Sequence, residues 1–236
     1  VLFFRLGDFY EMFDDDAVEV SRLLNLTLTH RSDSKMCGIP YHAAKVYIAR
    51  LLRLGKKIVI CEQVPETIGG KGIAERKVTE IITPGTALES EYLDGKVNNF
   101  LAAFCVTPKG CGFAFIDVTT SAFMATSFPA SSLAENFSKE LSRVLPRELL
   151  LPSSLKNNES VQNALSFYTE MAVSYYPDWD FNLEFSYKKL CRQFSTSNLK
   201  SFSLIESSPE VVPAGFLLDY LEKTTNAKLS HISSIQ

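Results

Sequence analysis

The chain opens on an apolar run, Val1-Leu2-Phe3-Phe4, broken at once by Gly7-Asp8 and followed by Phe9-Tyr10-Glu11-Met12-Phe13. No other stretch restricts the fold as tightly. A run this short and this aromatic reads as a buried strand. Gly7 tolerates backbone conformations that other residues resist, which allows a sharp reversal directly after it. Asp8 with Glu11 three residues on has the spacing of a capping box, and Phe13, Ala17, Val20 and Leu24 recur on one helical face. The expectation is therefore strand, turn and helix, with Phe9 at the first helical position and outside the apolar stripe. In that arrangement Phe9 and Glu11 both project outward. Local pattern alone equally allows Phe9 to be core and Glu11 a simple cap.

The next segments alternate between the periods of strands and helices. Leu26 to His30 alternates apolar and polar like a half-buried strand, and Arg31 to Lys35 is polar and loop-like. A helix is expected from about Tyr41 to Leu54, ending at Gly55. Lys57 to Cys61 and Val78 to Thr83 read as strands. The intervening Gly69-Gly70-Lys71-Gly72 lacks the spacing of a phosphate-binding loop, and no Ser or Thr follows Lys71. Glu91 to Asn99 is polar and contains Gly95, which makes it the expected boundary between two domains.

Beyond the boundary the pattern restarts. Phe100 to Val106, Gly112 to Asp117 and Ala122 to Phe128 form an expected three-stranded meander, turned first at Pro108-Lys109-Gly110. A helix around Leu133 to Val144, a strand from Glu148 to Pro152, and helices near Phe185 to Phe194 and Gly215 to Lys223 follow. Strands first hairpinned and then alternating with helices imply an α/β sheet covered by helices.

Charge narrows the function. The net charge is -3, yet residues 31–77 hold ten basic side chains against four acidic ones, a local excess of +6. Phosphates attract such a block, and Arg31, Arg76 and Lys77 lie within it. Five cysteines without a Cys-x-x-Cys pair and only three histidines assemble no zinc spacing. Reduced thiols are expected, with no disulfide framework. No apolar run approaches the ~20 residues of a membrane span, and no signal-peptide pattern opens the chain.

Arg5-Leu6-Gly7-Asp8-Phe9-Tyr10-Glu11-Met12-Phe13 resembles the signature of the MutS family of DNA mismatch-repair proteins. The resemblance continues through Thr29-His30-Arg31, Gly38 to Ala43, Ile60 to Gln63, Glu75 to Val78, Thr83-Pro84-Gly85-Thr86 and His231 to Ser234. It implies a mixed-sheet α/β mismatch-recognition domain over residues 1–95 and a ribonuclease-H-like connector domain over 96–228. Residues 229–236 would then begin a linker into a lever domain. It also implies the roles of the site residues: Phe9 wedges beside a mispaired base, Glu11 hydrogen-bonds to that base, and Arg31, Arg76 and Lys77 are candidates for DNA-backbone contacts. No catalytic, cofactor or metal residue is expected in this stretch. ATP with magnesium, a homodimer and a MutL-type partner reached through the connector domain belong to the full-length family, which is bacterial, cytoplasmic and nucleoid-associated.

Two other classes stay open at this point. Asp117 sits at a strand end, where ribonuclease-H-like nucleases hold a metal-binding carboxylate, although Glu135 and Glu140 are its only acidic neighbours along the sequence. A nuclease with an appended binding domain is one alternative. A non-catalytic protein-interaction module with Phe9 buried is the other.

Overall fold

Leu2–Leu6 forms strand β1, but the chain does not enter a helix at Asp8. Gly7 (φ +59°) and Asp8 make a two-residue turn, and Phe9–Phe13 returns antiparallel as β2, pairing Leu6 with Phe9 and Phe4 with Glu11. A positive φ at the first turn position suits the twist of a tight hairpin and favours glycine. Gly7→Ala is expected to cost about 1 kcal/mol, read as a lowered melting temperature. The capping-box reading of Asp8 and Glu11 is thus corrected. Helix α1, Asp14–Leu24, begins only after β2, with Phe13 at its N-cap and no side-chain cap bond. The strand wins because Tyr10 and Met12 can both be buried on one face while β1 satisfies the backbone.

This computed structural model describes residues 1–64, 75–87, 92, 98–225 and 229–236. The Gly69 to Gly72 loop and most of the Glu91 to Asn99 stretch lie outside the described residues. Two compact units divide the chain, Val1–Gly95 and Lys96–Gln236.

In the first unit, β3 (Thr29–Arg31) and β4 (Ser34–Pro40) form a hairpin around Ser32, at φ +53°, and Asp33. The expected polar loop shrinks to those two residues. Helix α2, Ala44–Arg53, follows one turn of 3-10 helix. It ends as expected at Gly55, at φ +74°, whose N–H reaches Leu52 O while that of Lys56 reaches Leu51 O. These are the two bonds of a Schellman cap. Strand β5, Ile58–Gln63, runs parallel to β1, and β6, Arg76–Ile82, runs antiparallel to β5. The sheet order is β3-β4-β2-β1-β5-β6. Phe3, Tyr10, Met12, Cys37, Ile39, Ile58 and Ile60 share one core with Ala17, Val20 and Leu24 of α1 and Ile48, Leu51 and Leu52 of α2. Both helices therefore cover the same face of the sheet. Asp14 and Asp15 are exposed, whereas Asp16 accepts the Leu2 N–H at 2.7 Å and ties the helix start to β1.

The second unit begins with the expected meander, β7 (Leu101–Thr107), β8 (Gly110–Asp117) and β9 (Ala122–Phe128). Helix α3 (Leu133–Val144) leads to β10 (Glu148–Pro152), and helix α4 (Glu159–Leu165) to β11 (Ala172–Tyr176). Strand β10 lies parallel to both β7 and β11, giving the order β11-β10-β7-β8-β9. Three antiparallel strands followed by two parallel ones on the far edge of the first is a ribonuclease-H-like sheet. Helices α5 (Leu183–Gln193) and α6 (Val211–Thr224) close the unit. Every residue of α6 from Val211 to Leu221 is buried. Pro213 fits there because first-turn N–H groups have no intrahelical partner. Gly215 sets the approach of α5, since a Cβ on it would lie 2.3 Å from Ser186 Cα.

Residues 229–236, expected as the start of a linker, instead pack into this unit. Leu229, Ile232 and Ile235 join its core, and Gln236 exchanges backbone hydrogen bonds with Phe123 and Ala125. Apolar residues at every third position, beside the β9 edge, give that segment more to bury than a linker has. Among the described residues, no helix is long and apolar enough to cross a membrane.

Candidate nucleic-acid interface

The hairpin that corrected the helix also positions the site. Phe9 and Glu11 stand two residues apart on β2, so both point to the face that the helices leave uncovered. Phe9 is 48% exposed, whereas Tyr10 and Met12 between and beyond are buried. Phe4 pairs with Glu11 across the hairpin, and its ring meets Phe13 edge-on at 6.5 Å. On the other side Glu11 faces Gly38 of β4. A Cβ on Gly38 would lie 3.6 Å from Glu11 Cγ, an ordinary contact distance, so the side chain of Glu11 rests beside that position.

From β3, on the far side of β4, Arg31 Nη1 donates to Glu11 Oε2 at 2.6 Å. The Glu11 side chain is 12% exposed and that of Arg31 53%. Arg76 reaches the same face by a different route. Its Nε donates to Arg5 O at 2.9 Å, and its guanidinium carbon lies 5.1 Å from the Phe4 ring centre. Lys77 does not join them. It pairs with Glu62 of β5, whose carboxylate accepts the Tyr10 hydroxyl, and so lies in the row that belongs to the helix-covered side. Of the five residues singled out by sequence, the structure brings Phe9, Glu11, Arg31 and Arg76 to one face and sets Lys77 on the opposite one.

The basic block is divided further. Lys56 is paired with Glu19 of α1 at 2.5 Å, again on the helix side. Arg5, which sequence reasoning passed over, holds the hairpin turn: its Nε donates to Gly7 O at 2.6 Å, and its guanidinium stacks 3.6 Å from the Tyr41 ring centre. The Thr83 to Thr86 motif is structural, with its two buried hydroxyls hydrogen-bonded to each other at 2.8 Å.

Asp117 is 1% exposed, and its oxygens accept from Asn99 N–H, Thr119 N–H and the Thr119 hydroxyl at 2.6–3.0 Å. It braces the turn after β8. Among the described residues no three His, Cys, Asp or Glu side chains gather as a metal site. All five cysteines are free thiols, and burial pushes that of Cys37 up to about 11.

The first unit thus carries, on the sheet face away from its two helices, an exposed ring, a carboxylate and guanidinium groups. The family follows from comparison with known proteins. The family model for MutS domain I matches residues 1–91, and that for MutS domain II matches residues 99–233. The chain belongs to the MutS family. Over its full length it is 54% identical to the DNA mismatch repair protein MutS of Treponema denticola, covering 28% of that protein. The corresponding protein of Treponema pallidum (strain Nichols) is 45% identical, with 26% covered, and that of Symbiobacterium thermophilum 40% identical, with 27% covered. The chain thus spans 26–28% of the length of these relatives.

Proposed function

We propose that this chain binds mispaired double-stranded DNA within DNA mismatch repair, with the uncovered face of its first unit as the contact surface. The observation that carries this reading is the exposed Phe9 ring, held at the tip of a tight hairpin with Glu11 beside it. Phe9 enters the minor groove and stacks on one base of a mispair, kinking the duplex as other inserted apolar side chains do. A mispair resists unstacking less than a Watson–Crick pair, so deformability is read rather than sequence. Glu11 hydrogen-bonds to the displaced base. Arg31 and Arg76 lie where they can meet phosphates, which position the duplex without specifying it.

Affinity for mispaired against matched duplex tests the reading. The placement of the two adjacent cations gives a finer test. Arg76→Met should reduce the slope of log affinity against log salt by about 1, the loss of one phosphate contact. Lys77→Met, on the opposite face, should leave that slope unchanged. Equal effects of the two substitutions would mean that the uncovered face is not the one that meets DNA.

For the full-length protein, the family resemblance supports an ATPase using ATP and magnesium, a homodimer, a MutL-type partner approached through the second unit, and a cytoplasmic place at the nucleoid. The two units themselves act as binding and relay parts and perform no reaction. The nuclease alternative loses ground because Asp117 braces the turn after β8 through Asn99 and Thr119, and among the described residues no acidic cluster gathers with it.

A further inference from the structure

Glu11 is an acidic group on a face proposed to meet a polyanion, and it is not presented bare. Its Oε2 takes a hydrogen bond from Arg31 Nη1 at 2.6 Å, reaching over β4 from the neighbouring strand β3. The arginine is set by its own hairpin, where it pairs with Ser34 around the Ser32 turn. The groove of a duplex therefore meets a neutral pair where a lone carboxylate would otherwise stand.

We propose that Arg31 is a specificity-determining residue acting through Glu11: it masks the carboxylate and so limits the penalty that Glu11 sets against matched DNA. The inference rests on the mismatch-binding reading above. On matched duplex no base edge is displaced, so a bare Glu11 is only repelled by the surrounding phosphates. Arg31 softens that repulsion. On a mispair the displaced base offers Glu11 a hydrogen bond, and Arg31 competes for the same carboxylate. Removing the guanidinium deepens the penalty in the first case and removes a competitor in the second. Both changes raise discrimination.

The test measures mispaired and matched affinities at one salt concentration for wild type, Arg31→Met, Arg31→Lys, Glu11→Gln and the Glu11→Gln/Arg31→Met double variant. It is run on the 236-residue chain and on a full-length MutS carrying it. A partly exposed ion pair contributes modestly, so Arg31→Met should raise the mismatch-to-match ratio about two- to fivefold. Arg31→Lys, which keeps the charge, should stay near the wild-type ratio. In the Glu11→Gln background, Arg31→Met should no longer move the ratio. Thermal melting shows that each variant is folded. Equal weakening on both duplexes, with an unchanged ratio and a salt slope reduced by about 1, would make Arg31 a phosphate contact only and overturn the inference. A ratio shift that persists with Glu11→Gln overturns it as well. A wild type with no mismatch preference overturns the underlying reading, whereas a discriminating wild type with an Arg31→Met ratio that stays put overturns this inference alone.

Discussion

Phe9→Ala is expected to bring the affinity for a mispaired duplex down to that for a matched one while the chain stays folded. Both halves of that outcome follow from β2. Strand alternation buries Tyr10 and Met12 against the helices and leaves Phe9, 48% exposed, on the open face beside the Gly7 turn. Truncating it removes little packing. Stacking of an aromatic side chain on a base contributes about 1–3 kcal/mol, a factor of roughly 5 to 150 in affinity. Discrimination by deformability draws on that same stacking, and the base edge that Glu11 bonds is displaced only when the ring inserts, so the preference should vanish rather than shrink. Met12→Ala supplies the contrast, because a fully buried side chain in the core of α1 and the sheet costs about 2–5 kcal/mol of stability when truncated. Duplex titrations with a thermal melt of each variant separate the two. If Phe9→Ala lowers the melting temperature as Met12→Ala does, the ring belongs to the core and the wedge is lost as an explanation.

Glu11→Gln is expected to tighten binding to matched duplex by about 1–2 kcal/mol, roughly 5- to 30-fold, and to tighten binding to a mispair much less. The substitution keeps size and hydrogen-bonding capacity and removes one negative charge. It also releases the Arg31 guanidinium from its carboxylate partner, which adds to attraction for phosphates. On a mispair the wild-type carboxylate already recovers part of its penalty through the base, so less remains to gain. Discrimination narrows while affinity rises. A Glu11 acting only as a helix cap would leave the ratio unchanged. The fold already argues against that role, since Glu11 lies within β2 and α1 starts at Asp14.

The residues that were misread show what a sequence conceals. Phe9 to Phe13 is apolar at four of five positions, so its period of two does not stand out, and Asp8 with Glu11 imitates a capping box. What makes it a strand is distant: Met36 to Pro40 supply the second set of backbone partners. The outward direction of Phe9 and Glu11 was expected from a helix start ahead of the apolar stripe; it holds for another reason, that residues two apart share a face on a strand. Helix α2 was plain from its periodicity and Gly55, and the β7–β9 meander from its turns. Strand β11 and helix α4 went unread because Ala172 to Tyr176 and Glu159 to Leu165 are short and weakly patterned. The Arg31–Glu11 pair spans 20 residues and two non-adjacent strands, a separation that no local spacing rule reaches. Arg76 and Lys77, both candidates for DNA-backbone contacts, are neighbours in sequence, and strand alternation divides them.

The most direct test of the account is the affinity of the wild-type chain for a duplex with one mispair against the same duplex fully matched, at two salt concentrations. Phosphate contacts are common to both duplexes, so salt should weaken the two alike. Stacking by Phe9 and the Glu11 hydrogen bond are particular to the mispair, so the ratio between them should favour the mispair and survive the change in salt. Equal affinities at both salt concentrations, in the 236-residue chain and in a full-length MutS carrying it, would contradict the assignment of this face to mispair recognition.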